Sequence, residues 1–301
     1  MPVKINNITV FAPAKVNLHL AILDKRQDGF HNLESVFLAV DFGDTLHFKL
    51  NNDECETENT EIEVIYDRNE ARIEPFSIPL QDNIIFKAIS LFREKTGFYQ
   101  KIVAKVEKRI PIGSGLGGGS SDAAATLLAL NKMAGFLCSH QDLLDMALTL
   151  GSDVPFFIHE TSGSYVSNRG EKITPFKAPL MYLVLVNPGF SSDTAAAFRL
   201  LDEYRALNPT NVLNNNYVYF IPTCENFRND FLQVFNESEK SVYCRIILQL
   251  QEAGADFVNL SGSGSTCFGV FKDAEHAQKA AVSINGNWKF VKMVKTFFMS
   301  C

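Results

Sequence analysis

The densest chemistry in the chain lies in Lys108-Arg-Ile-Pro-Ile-Gly-Ser-Gly-Leu-Gly-Gly-Gly-Ser-Ser-Asp-Ala-Ala-Ala125. Five glycines fall between Gly113 and Gly119, two serines follow, and Ala123–Leu130 has a helical pattern. Glycine lacks a Cβ, so such a loop reaches positive φ and can turn its N–H groups toward one point. N–H groups converging beside a helix N-terminus, with the helix dipole behind them, bind anions. The stretch therefore reads as a phosphate cradle, against the alternative of a glycine-rich turn with no ligand. A Walker A loop would close on Gly-Lys-Ser/Thr; this one closes on Gly118-Gly119-Ser120, without the lysine. The G-x-G-x-x-G pattern of dinucleotide binders is present as Gly113, Gly115 and Gly118. That pattern requires a buried parallel strand before it and an acid about 20 residues on. Lys101–Lys108 alternates like a half-solvated antiparallel strand instead, and the first acid beyond that distance, Asp142, falls in a helical pattern. A nicotinamide-dependent oxidoreductase is thus a weak rival.

Other residues could do chemistry only in combination. Lys15 and Asn17 share a face of any strand that resumes after Pro13, because side chains alternate with period two; spacing alone suits a solvated face. Asp153, in Gly151-Ser-Asp-Val-Pro-Phe156, interrupts a helical pattern, where Asp is ordinarily an N-cap. Ser261-Gly-Ser-Gly-Ser265 is a second glycine-rich turn, and a tight connection explains it as well as a ligand does. Lys108 and Arg109 are candidate charge partners for a phosphate, although basic residues at strand ends are commonly solvated. Phe30 and His31 follow a charged turn at Lys25–Gly29, and Phe198 lies in a helical stretch; singly, such residues are more often core.

The segment Pro111-x-Gly-x-Gly-Leu-Gly-Gly-Gly-Ser-Ser-Asp-Ala-Ala resembles the central motif of the GHMP small-molecule kinases. Pro13-Ala-Lys-Val-Asn17 and Leu260-Ser-Gly-Ser-Gly-Ser-Thr266 resemble its outer motifs, in the same order and spanning nearly the whole chain. Asp28-Gly-Phe-His-Asn-Leu33 and Gly151-Ser-Asp-Val-Pro-Phe156 are similar to the branch whose substrate is a cytidine diphosphate-linked methylerythritol. The resemblance implies ATP-dependent phosphorylation of that substrate's 2-hydroxyl, in the non-mevalonate route to isoprenoid precursors. ATP would be held by Pro111, Gly113, Gly115, Leu116, Gly117, Gly118, Gly119, Ser120 and Ser121, with Mg²⁺ accompanying it; the metal's ligands stay unassigned. It makes Asp153 the base for the substrate hydroxyl and Lys15 its partner. Asn17, Phe30, His31, Thr194, Phe198, Gly262 and Ser263 would meet the substrate, the cytosine lying between the two phenylalanines with its edge at the histidine. Phe30 stands where tyrosine is common in that branch, and Asp193 where an apolar residue or proline is common. Rival readings keep the class and change the alcohol, to homoserine or mevalonate, or keep the fold and drop catalysis, as a nucleotide-binding sensor.

The implied fold is α+β, in two domains. Residues 1–175 would form an ATP-binding domain like the second domain of ribosomal protein S5, and residues 176–301 a ferredoxin-like domain, with the cleft between them. Length and composition agree: 301 residues, 46% hydrophobic and 21% charged, can bury a sizeable core. Net charge −6 argues against a general nucleic-acid or anionic-membrane binder. The six cysteines make no C-x-x-C pair and suit free thiols in a reducing cytosol. No signal, transit or membrane-spanning pattern is evident, so a cytoplasmic monomer or homodimer is expected.

Periodicity predicts the elements that must position these residues. Strands are expected at Ile8–Ile22, bent at Pro13, at Leu33–Val40, Thr45–Leu50, Glu61–Tyr66 and Lys101–Lys108. Helices follow from Asn83 to Thr96, from Ala123 to near Gly135, and over Gln141–Leu150. Strands at Ser164–Val166, Lys172–Thr174 and Met181–Val186 precede a helix running from Asp193 through Tyr204. Helices at Phe227–Val234 and Val242–Ala253, strand Thr266–Phe271, helix Ala274–Ile284 and strand Lys289–Lys295 complete the expected order. Asn51–Thr60 and Asn208–Thr223 are expected to be loops.

Overall fold

The computed structural model describes residues 5–51, 61–66, 79–208 and 227–298. Most of both expected loops, and Cys55, Cys224 and Cys301, lie outside the described residues; Cys138, Cys244 and Cys267 are free thiols. The first half of the chain runs β1 (Asn7–Lys25), β2 (His31–Asn51), β3 (Glu61–Tyr66), α1 (Ile84–Thr96), β4 (Lys101–Lys108), α2 (Gly118–Met133), α3 (His140–Leu150), α4 (Val154–Ile158), β5 (Gly163–Asn168) and β6 (Lys172–Phe176). The second half runs β7 (Tyr182–Asn187), α5 (Thr194–Leu207), α6 (Glu237–Glu252), β8 (Phe257–Leu260), β9 (Cys267–Phe271), α7 (Ala274–Ser283) and β10 (Phe290–Lys295). This is an α+β protein with one sheet in each half.

The long β1–β2 hairpin is the frame of the first sheet. Pro13 does not break β1; the register with β2 shifts between Pro13 and Ala14, and this bulge absorbs the proline. Opposite it, Gly43 passes so close that a Cβ there would lie 2.3 Å from the Ala12 carbonyl oxygen. The two strands expected at Leu33–Val40 and Thr45–Leu50 are therefore one bent strand, β2. Its residues 33–38 pair with β5 and its residues 45–51 with β4. Ile8, Val10 and Ala12 pack on the helical side, in a core with Phe48, Phe92, Leu127 and Phe156. Beyond the bulge, Ala14, Val16 and Leu18 pack on the opposite side.

The second sheet has the order β10-β7-β9-β8, antiparallel throughout. The apolar run of β7 alternates cleanly: Leu183 and Leu185 meet Val16 and Leu38 of the first sheet, while Val184 and Val186 meet Tyr243, Ile246 and Ala277 under α6 and α7. The two halves thus share one apolar interface. Strand β8 was not among the expected elements. It has four residues with Asn259 in the middle, too short to show a period, and its presence completes a split β-α-β pattern. The helix expected at Phe227–Val234 is instead a β-bridge at Asn229 followed by a 3-10 turn, Asp230–Gln233. There the Asn229 side chain accepts from Phe231 N and the Asp230 side chain from Ile22 N, side-chain bonds that offer the backbone an alternative to a helix. Among the described residues, no helix is long and apolar enough to cross a membrane.

One buried ionic cluster joins three elements of the first half. Lys108, at the end of β4, is not solvated: its ammonium donates to Asp44 of β2 and, at 2.6 Å, to Asp122 Oδ2 of α2. Asp44 Oδ1 also accepts from the backbone N–H groups of Arg109 and Ile110, which fixes the chain just before the glycine loop. Two carboxylates share one cation out of water. Burial pushes the Asp122 carboxyl up to about 7, the Lys108 charge opposing and the Asp44 charge adding. An acid with a raised folded-state pKa stabilises the fold below its unfolded pKa of about 3.9, and that contribution fades as pH climbs to about 7. Asp122→Asn should therefore be more stable than the parent at pH 8 in urea unfolding, with the advantage shrinking toward pH 5. Lys108→Met, which strands both carboxylates, should lose about 3–5 kcal/mol at neutral pH in the same measurement.

Candidate active site

A cleft of about 1250 Å³ runs between the first-half helices, the glycine loop and α5, and every expected site residue lines it except Leu116 and Ser121. Leu116 points into the apolar interface and contributes its carbonyl, which accepts from Lys15 N at 2.9 Å. Ser121 is buried, its hydroxyl without a partner.

Past the Pro13 bulge, β1 turns Lys15 and Asn17 toward the cleft. Neither lies on a solvated face: they are 3% and 2% exposed. The Lys15 ammonium donates to Asn17 Oδ1 at 2.6 Å, stands 3.4 Å from Asp153 Oδ2, and lies 4.6 Å from the centroid of the Phe37 ring. Asn17 Nδ2 donates in turn to the Ser35 hydroxyl at 2.9 Å, and that hydroxyl donates to the His19 carbonyl. The lysine head is therefore aimed by a chain of hydrogen bonds. Asp153 occupies the N-cap position of α4, as its sequence context suggests, yet its side chain caps nothing. Its carboxylate faces Lys15 and remains partly open to the cleft.

The glycine loop takes the backbone shape that its composition allows. Gly113, Gly115 and Gly117 have φ of 64°, 76° and 72°. Helix α2 begins at Gly118, five residues before the expected Ala123, because Gly117 caps it without a side chain. That leaves the N–H groups of its first turn for a ligand in the cleft. The second glycine turn locks onto the first. Ser261 Oγ donates to the Gly115 carbonyl at 2.7 Å, Thr266 N donates to the Ser114 carbonyl at 3.0 Å, and Asn17 N donates to Ser261 Oγ at 3.3 Å. Ser263 is tied to α5 through a 2.8 Å contact with the Thr194 hydroxyl. Asp193, which departs from the expected residue type, is the N-cap of α5: its carboxylate accepts from Ala195 N and Ala196 N, making Thr194 the first helical residue.

The other end of the cleft is aromatic and charged. His31 is buried and stacks on Phe198, centroids 5.2 Å apart and planes 18° apart, while Phe231 meets Phe198 edge-on at 5.0 Å. Phe30 is 56% exposed, with the Arg169 guanidinium 4.4 Å from its centroid. Sequence reasoning missed Asp202, which lies one turn beyond Phe198 on the same face of α5; that i, i+4 spacing was the available signal. Asp202 Oδ1 is 2.7 Å from His31 Nε2, and Oδ2 accepts from Lys25 Nζ at 2.5 Å. Burial raises the Asp202 pKa, but the bonds to Lys25 and His31 outweigh it and hold the carboxyl below its ordinary range. Arg169, in the β5–β6 turn, had no sequence signal at all.

A Cβ at position 117 would sit 3.0 Å from Lys15 Cγ, at a φ that branched residues avoid. Gly117→Val should therefore weaken binding of a nucleoside triphosphate at least about tenfold, measured by calorimetric titration. Unchanged affinity in a folded variant would move the cradle elsewhere.

The comparisons agree along the whole chain. The family described as "GHMP kinases N terminal domain" matches residues 83–161, and "GHMP kinases C terminal" matches residues 225–289. A 4-diphosphocytidyl-2-C-methyl-D-erythritol kinase of Thermodesulfovibrio yellowstonii is 36% identical over 289 residues, covering 93% of this chain and 95% of the relative. One of Ralstonia pickettii is 33% identical, covering 92% of this chain and 90% of the relative. The crystal structure of a 4-(cytidine 5'-diphospho)-2C-methyl-D-erythritol kinase superposes with a TM-score of 0.75 at 27% identity, covering 96% of this chain and 98% of that one. With relatives this similar matched over nine-tenths of its length, the chain belongs to the 4-diphosphocytidyl-2-C-methyl-D-erythritol kinases of the GHMP kinase superfamily.

Proposed function

We propose that the chain transfers the γ-phosphoryl group of ATP to the 2-hydroxyl of 4-diphosphocytidyl-2-C-methyl-D-erythritol, with Asp153 as base and Lys15 as its partner. The observation that carries this reading is the Lys15–Asp153 pair, 3.4 Å apart, beside a glycine loop that opens a helix. Phosphoryl transfer asks a protein to hold phosphates, neutralise charge and deprotonate an aligned acceptor. The N–H groups at the start of α2 hold phosphate. Asp153, free of any cap bond, accepts the hydroxyl proton. Lys15, 3.4 Å from that carboxylate, stabilises the oxygen that loses its proton. A non-catalytic sensor has no use for such a pair.

Magnesium would arrive with the nucleotide, held chiefly by phosphate oxygens and water. Among the described residues no three or more His, Cys, Asp or Glu side chains gather at a point, which suits an ion of that kind. Ser120, which lines the cleft at the start of α2, would be the hydroxyl able to meet the ion. When bound, the ion neutralises charge on the β- and γ-phosphates.

Cytidine would be selected at the aromatic end, by Phe30, His31 and Phe198. Stacking on an aromatic tolerates every base, so discrimination falls to the edge of the ring. Asp202 accepts a hydrogen bond from His31 Nε2, and in the neutral ring that pairing leaves Nδ1 as the acceptor. An acceptor suits the amino group of cytosine and opposes the corresponding carbonyl of uracil. Residues 1–175 serve as the ATP-binding unit and 176–301 as the C-terminal unit in this reading, with substrate groups met from both.

A coupled ADP-release assay tests the reaction directly. Asp153→Asn should keep the fold and ATP binding and lose roughly 10²–10⁴-fold in kcat. Lys15→Met should also lower kcat, and the double variant should lose far less than the product of the single losses, as groups acting together do. Multiplicative losses would dissolve the pair. For the cytidine end, His31→Ala and Asp202→Asn should each narrow the preference for cytidine over matched uridine analogues, read as kcat/KM ratios. Phe198→Ala should raise KM for both. Wild-type kcat/KM equal for the cytidine compound and a nucleotide-free methylerythritol phosphate would exclude the clamp.

A further inference from the structure

The segment between the bridge at residue 229 and the 3-10 turn has no role in the chemistry above, yet three parts of the site rest on it. Asn229 is 3% exposed and its side-chain hydrogen-bonding groups are fully engaged. Nδ2 donates to the Leu260 carbonyl at 2.8 Å and to the Gly262 carbonyl at 2.7 Å, one on each side of Ser261. Oδ1 accepts from Phe231 N at 3.0 Å. On its backbone side, Asn229 bridges Leu20 of β1, and Leu20 N donates to the Arg228 carbonyl at 2.7 Å. Its neighbour Asp230, 2% exposed, fastens the segment down: it accepts from Ile22 N at 2.9 Å, from Arg205 of α5 at 3.1 Å and from Arg228 at 2.6 Å.

These bonds reach both ends of the cleft. Gly262 lies against Gly115 and Asn17, so a Cβ there would be 3.4 Å from Gly115 Cα and 3.7 Å from Asn17 Oδ1. Holding the Gly262 carbonyl sets how the second glycine turn presents itself beside Lys15. Phe231, whose N–H is held by the same asparagine, supports the Phe198 ring edge-on at 5.0 Å, and Phe198 in turn stacks on His31. We infer that Asn229 is a positioning residue that fixes the glycine turn at the reaction centre and the Phe198–His31 stack in one mutual geometry. It rests on the kinase reading above. The need is physical: the acceptor hydroxyl and the cytosine belong to one substrate molecule, and misplacement by about 1 Å can cost about 100-fold in rate. An amide is required because the site asks for two donors and one acceptor from a single short side chain.

Asn229→Asp keeps the shape and turns the donor end against two carbonyls. In the ADP-release assay it should lower kcat at least about tenfold and raise KM for the cytidine substrate several-fold, with KM for ATP within about twofold of the parent. A purely structural role predicts something else: lower thermal stability, with kcat and both KM values unchanged per folded molecule. That result overturns the inference, and so does an equal rise in both KM values. Should Asn229→Asp fail to fold, Phe231→Leu decides. It keeps the backbone N–H that Asn229 holds and removes the support under Phe198, so KM for the cytidine substrate should rise several-fold, with a smaller loss in kcat than a displaced glycine turn gives. An unchanged KM overturns the inference. Wild-type protein inert toward the cytidine substrate ends the kinase reading and this inference with it; active wild type with kinetically silent variants ends this inference alone.

Discussion

The site depends on how closely two backbones can approach. A Cβ at Gly115 would lie 2.0 Å from the Ser261 carbonyl oxygen, inside any permitted contact. Only glycine lets the loop from the first half of the chain nest against the turn from the second. Once nested, the two turns bond to each other through Ser261 and Thr266, and the cleft walls are tied together at the point where chemistry would occur. The glycines thus serve two ends. Their positive φ values give the loop turns that a Cβ would strain, and Gly115 also removes the bulk that would hold the halves apart.

The apolar interface and the polar cleft are two faces of the same strand. β1 buries Val16 and Leu18 against the second sheet while presenting Lys15 and Asn17 on the other side. A lysine 3% exposed is tolerable because Asn17, Asp153 and the face of Phe37 replace much of its lost hydration. The same logic holds one layer back, where Lys108 is buried between Asp44 and Asp122 and braces the residues leading into the glycine loop. The cleft is built on ionic groups that are buried, directed and paired.

Local features of the site were legible in the sequence, and long-range ones were not. Composition alone announces the glycine loop, period-two alternation finds β4, and a continuous apolar run finds β7. The partnership of Lys15 with Asp153 spans 138 positions and has no local signature; only the resemblance of three motifs, taken together, could suggest it. The burial of Lys108 escaped notice because its two acids are 64 and 14 residues away. Strand β8 and the 3-10 turn at Asp230 were missed for a different reason. Both are too short for periodicity, and the Asn and Asp side chains in the turn take backbone N–H groups that a helical pattern assigns elsewhere. Asp202 was within reach, one helical turn from Phe198, but only for a reader asking what keeps a buried histidine in one tautomer.

The bulge at Pro13 carries a further consequence. Even-numbered residues of β1 face the helices before it and the second sheet after it: Ile8, Val10 and Ala12 on one side, Ala14, Val16 and Leu18 on the other. β2 makes the matching change, Phe37 and Ala39 sharing the helical side with Leu46 and Phe48. The irregularity acts as a spatial frameshift. Without it, a regular strand would send Lys15 and Asn17 into the oily seam between the two sheets and turn Val16 toward the cleft. The reading frame of side chains, rather than any single contact, decides that this strand presents polar groups to the cleft on one face and packs against the second sheet on the other.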